Sequence, residues 1–343
     1  MNNKSAQDMI PIEILSTGLY VPGSAITNSE LKQLAGIEFD QAKIESKLGI
    51  YQRHIAHLRN ITETTADFAT KAALNAIKNA GIEPQEIGLL IVATDTPEFI
   101  TPATAILVQG RIQKGEFGTM AFDIAASCAS FSMAFDTAAS LLASHSTMQY
   151  ALVIGVYNMP AFMRPGDAFG YPIFADGAGA FILKKASHGK ACYLGSHMVT
   201  DGTQWDYIGI YAGGSKNPIT HELLDSQKQG LLNLQTLPGD RNVRLWPMVV
   251  SQLLEKTGYS ADQIDHYIFT QINRSVILKV MDALNQPYHK AHFVMDKYGY
   301  TGSACLPMAF NDAIIDKKIK KGDKVLFVAS GAGLSVGSNL FIY

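Results

Sequence analysis

The stretch 121-AFDIAASCASFSMAF-135 sets one cysteine, Cys128, between an apolar run and a row of small residues. Helical periodicity resumes behind it, which predicts a helix over 128–143 with the thiol at its start. Unpaired backbone N–H groups and the positive end of such a helix favour thiolate over thiol. The expected pKa of Cys128 therefore lies below that of a free cysteine. Ala126, Ser127, Ala129 and Ser130 leave room for a substrate to approach. Alone, this setting suits a packing residue as well as a nucleophile. Cys192 and Cys305 lack it or sit deeper in apolar sequence, and read as structural.

The rest of the chain offers little competing chemistry. Its nine histidines are scattered, and none pairs with another His, Cys or carboxylate at ligand-like spacing, so no metal site and no resident cofactor are expected. A formal net charge of −2 and a richest basic tract of only 317-KKIKK-321 argue against nucleic acid. No apolar run reaches the ~18–20 residues of a membrane span, and the N-terminus MNNKSAQDMIPIEILS lacks the pattern of a signal peptide. Three cysteines without a CxxC pair fit a reducing compartment, so a cytoplasmic location is expected.

What must position Cys128 is an α/β scaffold, because helical and strand signals alternate along the chain. The 343 residues exceed the ~250–300 at which one core stops growing, and the sequence echoes itself. A helix 66-ADFATKAALNAIKNAG-81 leads to a strand 88-GLLIVATDT-96, and 246-WPMVVSQLLEKTG-258 leads likewise to 265-DHYIFTQIN-273. MAFD in the helix after Cys128 returns as MAFND in 303-SACLPMAFNDAII-315, setting Cys128 against Ser303. The strand 150-YALVIGV-156 matches 324-KVLFVAS-330, and 176-DGAGAFILKK-185 matches 331-GAGLSVGSNLFIY-343. Four matched segments in one order predict a duplication, with one half over 1–185 carrying the nucleophile and a second over 186–343 completing the site.

Taken together, the Cys128 segment, 174-FADGAGAFIL-183, 298-YGYTGSACLPMAF-310 and 331-GAGLSVGSNLFIY-343 resemble the thiolase superfamily. The closer resemblance is to β-ketoacyl-acyl-carrier-protein synthase III, supported by 16-STGLYVPGSAITNSEL-31 and 48-LGIYQRHIA-56 and running from about residue 12 to the C-terminus. It implies a five-layered αβαβα fold of two pseudo-symmetric halves, and a homodimer. It further implies that Cys128 takes an acyl group from acyl-CoA, or from acyl-carrier protein, and passes it on. CoA or phosphopantetheine would then arrive only as the substrate's carrier. A thiolate suits such ping-pong chemistry. The family's oxyanion hole falls on the backbone N–H groups of Cys128 and of Ala332 in 331-GAG-333.

Two departures bear on the second step. Where the family has His-Gln-Ala-Asn this chain has 270-TQIN-273, so Thr270 stands at the histidine position. Where it has Tyr/His-Gly-Asn-Thr this chain has 298-YGYT-301, so Tyr300 stands at the asparagine position. A threonine hydroxyl cannot shuttle protons near neutral pH, so decarboxylative condensation by the family's route is not expected. The resemblance leaves altered condensation or O/N-acyl transfer. A different reading is a degenerate partner subunit that forms a heterodimer with a related chain. His266, His292 and His221 read as surface or satisfied-core residues rather than substitutes for the lost histidine.

The remaining assignments concern substrate delivery. The early tryptophan of the family is missing from 38-EFDQAKIESKLGI-50, and Lys47 occupies a phosphate-binding arginine position. Asn273 and Arg274 open the segment that in the family meets the carrier protein. Phe99, Ile100 and Thr101 lie in the loop that in the family enters the partner's acyl pocket.

Overall fold

The computed structural model describes residues 11–186 and 192–343. Most of the stretch inspected for a signal peptide, and the start of the second predicted half at 187–191, lie outside the described residues.

The first half contributes β1 (Ile12–Tyr20), β2 (Ile87–Ala93), β3 (Met120–Ile124), β4 (Tyr150–Tyr157) and β5 (Gly177–Lys185), in the sheet order β1-β5-β4-β2-β3. β6 (Cys192–Gln204), β7 (His266–Phe269), β8 (Lys324–Gly331) and β9 (Gly333–Ile342) form a second sheet, ordered β7-β8-β9-β6. The two sheets correspond strand for strand. The pairs β2·β4 and β7·β8 are parallel, while β4·β5, β5·β1, β8·β9 and β9·β6 are antiparallel. Among the described residues, only β3 has no counterpart.

Helices fill three further layers, completing the expected αβαβα arrangement. On the outside of the first sheet lies α1 (Thr65–Ala80), packed on β1 and β5 beside α2 (Thr104–Gln113). A reciprocal box between Thr64 and Asp67 starts α1, and Gly81 at φ 66° ends it. Its buried face is mostly alanine, so the helix rides close to the sheet. Between the sheets run α3 (Ser130–Ser144) and, beyond α4 (Arg241–Thr257) and α5 (Arg274–Ala283) of the far outer layer, α6 (Cys305–Ile315). Aromatic side chains join this middle layer to both sheets. Phe181 of β5 and Phe327 of β8 have ring centroids 6.3 Å apart, with Phe135 of α3 and Phe310 of α6 packed edge-on or tilted against both.

Three boundaries differ from expectation. α4 begins at Arg241 and runs through Pro247, which the sequence pattern placed in the first helical turn. The strand expected over 88–96 ends at Ala93, after which Thr94 and Thr96 turn inward and bond to each other. And α3 begins at Ser130, so Cys128 sits in the preceding turn rather than on the helix.

One buried acid in this scaffold has a testable consequence. The Asp176 carboxyl, in the turn before β5, accepts the Ala56 N–H at 2.7 Å through Oδ2, while Oδ1 has no partner among the described residues. Burial pushes its pKa up to about 8. An acid whose pKa is higher folded than unfolded stabilises the fold below its unfolded pKa and loses that contribution as pH rises through the folded one. Asp176→Asn, which cannot ionise, is therefore expected to melt several degrees above the parent at pH 8, with the gap narrowing toward pH 5; thermal melts at the two pH values check it.

Candidate active site

β2 and β3 are parallel neighbours, and the chain leaves both at their carboxyl ends beside one cavity of about 570 Å³. Such ends, where parallel strands release their loops, are where α/β folds bind ligands. Asp95 enters from the loop after β2 and Cys128 from the turn after β3; Tyr157 closes β4. From the other half come Thr270 just after β7, Tyr300 before α6, and Ala332 between β8 and β9. Ile208, Ile210 and Leu231, from a small two-stranded ribbon, extend the wall with apolar surface.

The turn holding the nucleophile is tightly tied. Ser127 is held at φ 51°, its carbonyl accepts from the Ser130 hydroxyl at 2.5 Å, and that hydroxyl accepts the Ala126 N–H at 2.8 Å. Gly331 presses against this turn from the second half. A Cβ there would stand 2.3 Å from the Ala126 carbonyl oxygen and 3.0 Å from the Cys128 nitrogen. That close approach brings Ala332, the next residue, to the same wall as the Cys128 backbone.

Cys128 is buried at 9% exposure, and its thiol pKa is raised, contrary to the expectation from its position near a helix start. Burial is the main cause, and the Asp95 carboxylate beside it adds to the effect. Hydrogen bonds from Tyr300 and Ser127 pull the other way without offsetting them. Burial therefore favours the thiol form over the thiolate.

Tyr300 reaches the asparagine position as a fully buried ring, 5.6 Å from Phe174 and 6.4 Å from Tyr157 between centroids, and lines the cavity beside Cys128. Thr270 is equally buried and its Oγ1 accepts the Ser330 N–H at 3.0 Å. Ser330 in turn donates to Asn242 at 3.2 Å. Asn273 lines the cavity, but its side chain caps α5 by accepting the Val276 N–H at 3.2 Å.

Other expected residues lie elsewhere. Lys47 is exposed and does not line the cavity, although the next residue, Leu48, does; its carbonyl accepts from Ser275 at 2.8 Å. Arg274 lies over the Phe293 ring at 5.4 Å and lines a smaller separate cleft. Phe99, Ile100 and Thr101 are exposed, Ile100 at 82%, and none lines this chain's own cavity. The histidines are satisfied or peripheral. His266 bridges Asp323 at 3.1 Å and His292 at 3.0 Å, with burial and His266 pushing His292 down to about 4, and His221 begins a short exposed helix.

The sequence reading missed Asp95, Tyr157 and Arg241. Burial raises Asp95 to about 6, and its Oδ1 has no partner among the described residues. The one available signal was an acid closing an apolar strand, 88-GLLIVATDT-96, with no basic residue nearby. Tyr157, in an apolar strand, lines the same cavity as Cys128. Arg241 lines the cavity with Nη1 on Gln204 at 3.3 Å and Nε unpartnered among the described residues. Among the described residues no group of three His, Cys, Asp or Glu could hold a metal, and no helix is long and apolar enough to cross a membrane.

Comparison with known proteins agrees with this geometry. Residues 122–202 match the family described as 3-oxoacyl-(acyl-carrier-protein) synthase III, and residues 254–343 match its C-terminal part. The chain is 33% identical over 343 residues to a β-ketoacyl-(acyl-carrier-protein) synthase III of Aliarcobacter butzleri, covering 97% of this chain and 98% of that one. It is 34% identical to the enzyme of the same name from Paramagnetospirillum magneticum, covering 96% and 98%. The crystal structure of 3-oxoacyl-(acyl-carrier-protein) synthase III from Aquifex aeolicus superposes with a TM-score of 0.84 at 30% identity, over 97% of this chain and 100% of that one. With a third of its residues shared along nearly the full length of both chains, the protein belongs to the β-ketoacyl-acyl-carrier-protein synthase III family of the thiolase superfamily, transferases of the β-ketoacyl synthase type.

Proposed function

We propose that this chain takes an acyl group from acyl-CoA or acyl-carrier protein onto Cys128 and passes it to a second substrate, by an altered condensation or by transfer to an oxygen or nitrogen nucleophile. One observation carries the reading: the Cys128 sulfur faces a largely apolar cavity, on the wall where Gly331 holds the Ala332 turn against the cysteine loop. Two backbone N–H groups there are suited to an oxyanion of the tetrahedral adduct. The cavity accommodates an acyl chain, and Asn273 with Lys47 nearby marks the side from which a carrier-borne thioester would enter. No metal or cofactor takes part in this reading.

A homodimer fits the free edge of the first sheet. β3 is that edge strand, and Phe99, Ile100, Phe117 and Met120 expose apolar surface along the segments around it. A cytoplasmic location accords with three cysteines that form no disulfide among the described residues. The second reading, a non-condensing partner in a heterodimer, is favoured by one feature, the buried Tyr300 beside the nucleophile where the family has asparagine. Octanoyl-CoA separates the two. An active acyltransferase releases one equivalent of CoA thiol per chain in a burst, and no release with any acyl-CoA would leave only the partner reading.

A further inference from the structure

The acyl transfer proposed above calls for a base, because burial favours the thiol form of Cys128 and the family's histidine position is a threonine whose hydroxyl oxygen accepts the Ser330 N–H. The cavity wall holds another candidate. The Ser127 hydroxyl lies 3.8 Å from the Cys128 sulfur and 3.0 Å from Asp95 Oδ2. A hydroxyl has one proton to give and two lone pairs to offer. Donating to the carboxylate, the shorter contact, leaves its oxygen free to receive the thiol proton. The left-handed backbone of Ser127, uncommon for any residue but glycine, aims the hydroxyl into this gap. Asp95 Oδ1 is shut from solvent and has no partner among the described residues, so one carboxylate oxygen is still free to take or give a proton.

We propose that Ser127 and Asp95 form a proton relay for Cys128, with Ser127 touching the reacting sulfur and Asp95 accepting the proton at the far end. As Sγ bonds the thioester carbonyl carbon, the thiol proton passes to Ser127 Oγ while the Ser127 proton passes to Asp95. The tetrahedral adduct then expels the CoA sulfur, that C–S bond breaks, and the proton returns from Asp95 to the leaving sulfur. Acyl-CoA and enzyme thiol become acyl-enzyme and CoA thiol, with no other reactant. Nothing in this scheme needs the histidine.

The relay rests on the acyltransferase reading, and Asp95→Asn tests it because two roles of the carboxylate predict opposite results. As a nearby negative charge, Asp95 opposes thiolate formation, so its removal speeds any reaction of the free thiolate. As the end of a relay, its removal slows attack on a thioester. In the full-length protein at pH 7, Asp95→Asn is expected to acylate from octanoyl-CoA at least 30-fold more slowly while Cys128 reacts with iodoacetamide as fast as the parent or faster. Ser127→Ala keeps the charge but breaks the bridge, and is expected to lose acylation to a similar extent without any gain toward iodoacetamide. Acylation of Asp95→Asn at the parental rate or above overturns the relay, as does parental acylation by Ser127→Ala. If the parent protein reacts with iodoacetamide but takes no acyl group, the acyltransferase reading fails and the relay falls with it.

Discussion

Gly331→Ala is expected to abolish acyl loading on Cys128 and to lower the melting temperature by about 5 °C, the scale of a 1–3 kcal/mol overpacking penalty in a chain of this size. The added methyl would stand 2.3 Å from the Ala126 carbonyl oxygen and 3.0 Å from the nitrogens of Cys128 and Ala129. All three are backbone atoms in a turn already fixed by the Ser127 and Ser130 hydrogen bonds, so nothing flexible can step aside. The turn must instead move away from Ala332 and take the nucleophile with it. A residual rate near the parent's would mean that the two halves do not need this approach to build the site. Gly118→Ala is the control, since a Cβ there meets nothing within 4 Å, and it is expected to load at the parental rate.

The second large effect concerns the two replaced positions. Thr270→His alone is expected to leave carbon dioxide release from a malonyl thioester at background. Its imidazole would enter the cavity, but Tyr300 would still stand beside Cys128 where the family's asparagine would face the substrate. The Tyr300 ring cannot swing aside, because it is buried against Phe174 and Tyr157. The substitution also removes the Thr270 oxygen that satisfies the Ser330 N–H, leaving a buried donor unpaired at a cost of ~1–3 kcal/mol. Only Thr270→His together with Tyr300→Asn is expected to raise release at least tenfold. Release from the single variant would show that Tyr300 does not block the route.

The scaffold was legible because its signals are local. Apolar runs such as 150-YALVIGV-156, the glycines closing helices at Gly81 and Gly258, and the repeated MAFD and MAFND segments each reflect short-range packing rules. The helix read over 246–258 begins five residues earlier, at Arg241, and runs through Pro247 with Leu245 and Trp246 buried. Within the site, Cys128, Thr270, Tyr300 and Ala332 were named from motif order, and the four line one cavity. The proton balance was not. Whether a thiol ionises depends on what surrounds it in three dimensions, and here the burial and the Asp95 charge outweigh a nearby helix start. Asp95 itself looked like the tail of a strand; the bend after Ala93 that turns it into the cavity depends on Thr94 and Thr96, whose partners come from other segments. Phe99, Ile100 and Thr101 do not line the Cys128 cavity of their own chain; only the resemblance assigns them to an acyl pocket.

The most direct test of the central claim is the intact mass of the protein after incubation with octanoyl-CoA, followed by peptide mapping. One octanoyl group on the peptide containing Cys128, absent from Cys128→Ala, is the predicted result. An adduct that persists in Cys128→Ala, or no adduct from any acyl thioester tried, would contradict it.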